Sequence, residues 1–193
     1  MKKIIPLFLL SLPLGFVGCD ALRGTDISTK EGFEKAVSIF VEQIDTTKEK
    51  VLEFSFSADA KPRHEFSTEL GTLYGSVIGE KGDTLEIVYH TINSKLTKEK
   101  PRVNSEAAYQ RDAQRKVFNL SALSADRYLQ HIEIIKKEVP AEYVYQAVSR
   151  YNYCQKEEGI EERYGIRLTK KGETGSYYEV TARFINGELE DIS

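Results

Sequence analysis

Tryptophan is absent from this 193-residue chain, methionine occurs once, and there are only two cysteines and three histidines. So few cysteines rule out the multi-bridge disulfide framework of many small exported domains, and the fold has to be held by its core. His64, His90 and His131 fall in different predicted elements, and no His-x-x-x-His or paired-cysteine spacing exists. No local metal site is encoded, and no cofactor is expected. Equally missing are a Gly-x-Ser-x-Gly elbow, a Ser-x-x-Lys pair and a phosphate-cradling Gly-x-x-x-x-Gly-Lys loop. Their absence removes the local signatures of the common serine hydrolases and nucleotide-binding loops. Positive charge is also short: 27 Lys and Arg against 30 Asp and Glu give a formal charge of −3. Nucleic-acid binding draws on a cationic surface that displaces counterions from phosphate, so nucleic acid is not an expected partner.

What is present begins at the amino terminus. Met1-Lys2-Lys3 precedes an apolar stretch of roughly 14 residues, Ile4 to Val17, interrupted by Pro6, Ser11, Pro13 and Gly15. A membrane-spanning helix needs about 20 apolar residues, and proline breaks one, so the layout reads as an export signal and not as an anchor. Phe16-Val17-Gly18-Cys19 resembles the lipobox of bacterial lipoproteins, with Phe16 where leucine is usual. The resemblance covers about a tenth of the chain. It implies cleavage before Cys19, a diacylglyceryl thioether on its sulfur, and acylation of the new amino group. Residues 1–18 are then signal peptide and 19–28 a tether without periodic pattern, and loss of Lys2 and Lys3 takes the formal charge to −5. Each buried methylene of an acyl chain contributes about 0.8 kcal/mol, so several chains hold a protein on a membrane without a helix. In enterobacterial lipoproteins an aspartate after the lipidated cysteine goes with inner-membrane retention. Asp20 therefore implies the periplasmic side of the inner membrane, with the outer membrane as the alternative.

The rest of the chain reads as α+β, helices packed on antiparallel sheet. Ser28 and Glu31 fit a capping box, followed by an apolar stripe of Phe33, Ala36, Val37, Phe40, Val41 and Ile44 at helical spacing. Residues 51–58 alternate as a half-buried strand, and 72–78 with 84–92 form a hairpin around Lys81-Gly82-Asp83. A basic connecting segment, 97–122, is expected to be helical over 105–117. A second helix capped by Ser124 presents Tyr128, Ile132, Ile135 and Val139 and ends at Pro140. Residues 143–154 read as a strand or a helix, and 164–169 with 176–185 as a second hairpin. Tyr74-Gly75 and Lys81-Gly82-Asp83-Thr84 recur as Tyr164-Gly165 and Lys171-Gly172-Glu173-Thr174 at one spacing of 90. The units 29–96 and 123–193 therefore suggest a tandem duplication, against which stands chance recurrence of a common turn.

Few residues carry chemistry. His64-Glu65, in a loop after Pro62, is the polar pair best placed to bind something. Tyr143, Tyr145, Tyr151 and Tyr153 share one face if their segment is extended, as interface anchors or as cross-strand packing. Cys154 has no neighbouring base and reads as a packed thiol. Glu161 and Glu162, adjacent on a strand, point to opposite faces and do not flank one bond. His90 and His131 are expected at the surface or rim. The acidic group Glu157, Glu158, Glu161 and Glu162 and the basic group Lys95, Lys98, Lys100, Arg102, Arg111, Arg115 and Lys116 read as solvated, the basic one alternatively as a patch for anionic lipid or an acidic partner. The expected function is that of a lipid-anchored, non-enzymatic envelope protein binding another envelope protein or a small ligand. The alternatives are a periplasmic inhibitor or immunity-type protein, and an unrecognised hydrolase working around His64.

The lipid address has a direct check. Cells fed a clickable fatty acid should label the wild-type protein and leave Cys19→Ser unlabelled. Failure of the wild type to label beside a labelled control lipoprotein would refute it.

Overall fold

The computed structural model of the chain describes residues 22, 24–59, 66–90, 95–100, 115–173 and 177–193. Helix α1 (Lys30–Glu42) is followed by strands β1 (Lys50–Ala58), β2 (Leu70–Ile78), β3 (Thr84–His90) and β4 (Lys95–Glu99). After a short 3-10 turn (Leu120–Ala122), helix α2 (Ala125–Glu138) leads to β5 (Tyr143–Gln155), β6 (Ile160–Lys170), β7 (Tyr178–Ile185) and β8 (Glu188–Ile192). All eight strands join one sheet in the order β4-β3-β2-β1-β5-β6-β7-β8, every neighbouring pair antiparallel. The fold is α+β. Two four-stranded meanders meet where β1 pairs with β5, and both helices cover the same face.

That face is the core. Phe33, Ala36 and Phe40 of α1 and Tyr128, Ile132 and Ile135 of α2 pack on Phe54, Phe56, Tyr151, Tyr153, Tyr164 and Phe184 in a single hydrophobic cluster. The rings meet edge-on or stacked; Phe33 stacks on Tyr128 at 4.6 Å between centroids. Ring pairs of this kind add about 0.5–1.5 kcal/mol each beyond burial. Helix α2 is capped by Ser124, which accepts from Arg127 N, and its stripe is buried as its spacing requires. In α1 the cap lies one residue beyond the expected Ser28: Thr29 Oγ1 accepts from Gly32 N at 3.0 Å, while Ser28 donates to Asp26. The Ser28–Glu31 box does not form because Asp26 occupies the serine.

Other expectations change. Residues 143–154 are strand, with register shifts between Tyr145 and Ala147 and between Val148 and Arg150. These bulges put Val148 on the tyrosine side in place of Ala147 and Ser149. Part of the basic connecting segment is strand β4, and its tail is extended, not helical: Lys116 bridges Gln155 and Phe118 bridges Val51. Residues 105–114 lie outside the described residues. The far end of the supposed tether is also folded, since Leu22 and Ile27 are buried, Leu70 N donates to Thr25 O and Tyr128 Oη donates to Ile27 O.

One glycine shows how closely α1 rides the sheet. A Cβ on Gly75 would run into the ring of Phe40. Gly75→Ala should therefore destabilise the protein by about 1–3 kcal/mol, the usual cost of overpacking. Urea unfolding measures it, and Phe40→Leu in the same chain should recover part of the loss.

Candidate functional site

A strand alternates its side chains, so a sheet sealed on one face by helices must present a second set on the other. Here no described helix packs on that second face, which is strongly polar and crossed at one end by the stretch that carries Arg115. Cross-strand register sets its residues in rows. Tyr74, Ser55, Asn152, Arg163 and Arg183 stand side by side from β2 to β7. On one side of them run Glu86, Ser76, Glu53, Cys154 and Glu161, and on the other Ser57, Arg150, Gly165 and Thr181. At the centre is an open groove of about 480 Å³, floored by Ser55, Asn152 and Gly165.

Two buried carboxylates organise its charge. Glu53 accepts from the Asn152 amide and pairs with Arg115 at 2.6 Å, both side chains only 7% exposed. Arg115 comes from the stretch before α2, whose backbone bonds Lys116 N to Gln155 O and Phe118 N to Val51 O, pinning it across the groove's end. Glu161, 2% exposed, gathers Lys156 at 2.9 Å, Arg163 at 3.0 Å and Arg183 at 3.1 Å. Burial alone would push its carboxyl up, but the three cations outweigh that and hold it below the usual range. Burial and the nearby Glu161 push the Cys154 thiol up, so it rests as a neutral packed group and not a nucleophilic thiolate.

Glu162 lies on the opposite face, as adjacent strand residues must. Under α2 it accepts from Tyr151 Oη at 2.7 Å and pairs with Arg127 at 2.9 Å, while His131 Nδ1 lies 3.1 Å from Tyr164 Oη. Burial pushes the Glu162 carboxyl above its usual range against the opposing pull of Arg127. This cluster sits inside the core, which makes it a structural network; only Arg127 reaches outward, with 28% of its side chain exposed.

The candidates from sequence scatter. Cys19, His64 and Glu65 lie outside the described residues. Tyr151 and Tyr153 are fully buried beneath the helices, and Tyr143 and Tyr145 are half-buried on the same side. Tyr151 and Tyr153 are therefore packing residues and not partner contacts, because helices cover the face they share. His131, expected at the surface, is 2% exposed and stacked on Phe184, whereas His90 is exposed and meets Thr72. Glu161 and Glu162 are not solvated. Lys98, Lys100 and Arg115 are each engaged by a carboxylate, Arg102 and Arg111 lie outside the described residues, and the described members of the group form no basic patch. Reasoning from sequence missed Glu53, Arg150 and Arg163. The available signals were a lone charge inside an otherwise uncharged strand stretch, Glu53 in β1 and Arg150 in β5, and the alternation of Glu161, Arg163 and Arg167 in β6.

The chain matches no protein-family model, and no curated protein or solved structure is detectably similar to it. Among the described residues no three His, Cys, Asp or Glu side chains gather as metal ligands, and no helix is long and apolar enough to cross a membrane.

Burial and Arg127 hold His131 neutral, lowering its pKa to about 4 from 6.5. As pH falls below 6.5 the unfolded chain takes up this proton and the folded one does not until about 4. Stability contributed above 6.5 is thus lost on acidification. Wild type should lose on the order of 2–3 kcal/mol more than His131→Gln between those limits. Urea midpoints measured across pH test this; parallel curves for the two proteins contradict it.

Proposed function

We propose that the chain is a lipid-anchored envelope protein whose uncovered sheet face is a non-enzymatic binding surface. The observation that carries the binding reading is the contrast between the faces: one sealed by α1 and α2, the other open, charged and grooved. Ligand sites are concave, with a few convergent polar groups, and the groove fits that description. Attachment through an acylated Cys19 supplies the membrane-lipid partner, on the periplasmic side of the inner membrane if Asp20 acts as the sorting residue. Only Asp20 and Ala21 lie between Cys19 and the buried Leu22, so even a fully extended link spans ~10 Å. Such a protein works within reach of the bilayer, where another envelope component is the natural partner.

We read the architecture as a duplicated helix-plus-meander unit. Each half runs helix then four strands, the meanders leave a central antiparallel pair in opposite directions, and Gly82 and Gly172 hold corresponding turns at φ 79° and 83°. The Tyr-Gly pairs do not support this as they stand. Tyr74 lines the groove and Tyr164 is buried in the core, so the two tyrosines occupy opposite faces.

Photocrosslinking in living cells tests the binding face. Benzoylphenylalanine replacing Glu179 on the open face should trap adducts, and the same residue replacing Glu34 on α1 should not. Adducts from position 34 alone would reverse the assignment.

A further inference from the structure

The groove has a sign opposite to that of the chain. Among the described residues its lining carries Arg115, Arg150, Lys156 and Arg163 against Glu53 and Glu161, in a protein of formal charge −3. Arg115 pairs with Glu53, and Lys156 and Arg163 with Glu161, so four cations against two carboxylates leave an excess of positive charge in this lining. Arg150 is 61% exposed, with its nearest carboxylate, Glu179, at 3.8 Å. Arg163 is 48% exposed and shares Glu161 with Lys156 and Arg183. Between them lies Gly165, closely overlaid by its neighbours: a Cβ there would come within 2.7 Å of Ser149 Oγ and 3.2 Å of Arg150 Cβ. Two places along β6, Arg167 holds its guanidinium against Tyr177, and its buried Nε has no hydrogen-bond partner.

Resting on the binding reading of this face, we propose that the groove flanked by Arg150 and Arg163 is a site for a phosphate-bearing small molecule. Arg150 and Arg163 grip the phosphate, and the hydroxyls of Tyr74 and Thr181 meet the uncharged remainder. Guanidinium groups present several donors in a fixed fork that matches phosphate oxygens, and a partly enclosed site strengthens the attraction. Guanidinium groups reaching in from two strands, β5 and β6, suit the tetrahedral arrangement of phosphate oxygens, kept in monoester and diester alike, better than a planar carboxylate. The phosphate belongs to a lipid headgroup or to a soluble metabolite; the chemistry recognised is the same.

Calorimetric titration of the detergent-solubilised full chain separates these sources. The probes are inorganic phosphate, sn-glycerol 3-phosphate, and dihexanoylphosphatidylglycerol below its micellar concentration, with glucuronate as a carboxylate control. We expect saturable one-to-one binding of at least one phosphate probe, at least tenfold tighter than glucuronate. Preference for the short-chain lipid identifies a headgroup, and preference for glycerol 3-phosphate a soluble ligand. Arg150→Gln, an exposed change that leaves the fold intact by thermal melting, should weaken binding at least tenfold, and Lys136→Gln should not. No saturation with any phosphate probe, equal affinity for glucuronate, or full affinity in Arg150→Gln overturns the proposal. Cys19→Ser leaves the site untouched, so loss of membrane attachment and loss of phosphate binding are read independently.

Discussion

The pairing of β1 with β5 is the constraint on which the rest of the molecule depends. Ser55 opposite Asn152 fixes the register, and from it every residue of two meanders acquires a face. Phe54 and Phe56 turn toward the helices beside Tyr153 and Tyr151, and Glu53 turns the other way beside Cys154. A slip of one residue would put Glu53 among the rings and the rings in water, so the aromatic cluster enforces the register that also assembles the groove. The core and the candidate site are two consequences of one strand pairing.

Glu161 and Glu162 show the same alternation in electrostatic form. They are neighbours in sequence, both almost wholly buried, and their carboxyls shift in opposite directions. Three cations reach Glu161 because the open face carries long basic side chains on β6, β7 and the turn after β5. Glu162, enclosed by α2 and tyrosine rings, has Arg127 and hydroxyls only, so desolvation prevails. Burial by itself decides neither protonation state; the number of cations able to reach each face does. A buried charge that loses its partners is costly, so both arrangements tie the positions of several elements together.

Much of this fold was legible in the sequence. Both helices, the alternation of β1 and the two central hairpins follow from periodicity, because large apolar faces leave strong patterns. The two edge strands do not. β4 is Lys-Leu-Thr-Lys-Glu and β8 is Glu-Leu-Glu-Asp-Ile, each with little buried surface and therefore little pattern. For β8 a signal existed in Asn186-Gly187, whose left-handed φ values of 52° and 89° make the tight hairpin turn. The groove was less legible still. Its residues come from separate strands, and Glu161 in isolation resembles any solvated glutamate. Only cross-strand register brings Lys156, Arg163 and Arg183 to it, and the bulges of β5 that set Arg150 beside Gly165 leave no mark in composition.

The halves share an order of elements yet treat their faces differently, and the difference locates the site. Inside, Phe54 and Phe56 of the first half answer Tyr151 and Tyr153 of the second, large rings meeting one packing requirement. Outside, β1 and β2 present Ser55, Ser57, Thr72 and Tyr74, whereas β5, β6 and β7 present Arg150, Arg163, Arg167 and Arg183. Packing cannot account for that contrast, since neither set is needed to fill the core. Arg163 and Arg183 are called for by the buried Glu161 they neutralise, but Arg150 is 61% exposed and its ion pair with Glu179 returns little. What the buried carboxylate does not require is the exposed Arg150, and it stands on the face the helices leave open, the face proposed for binding.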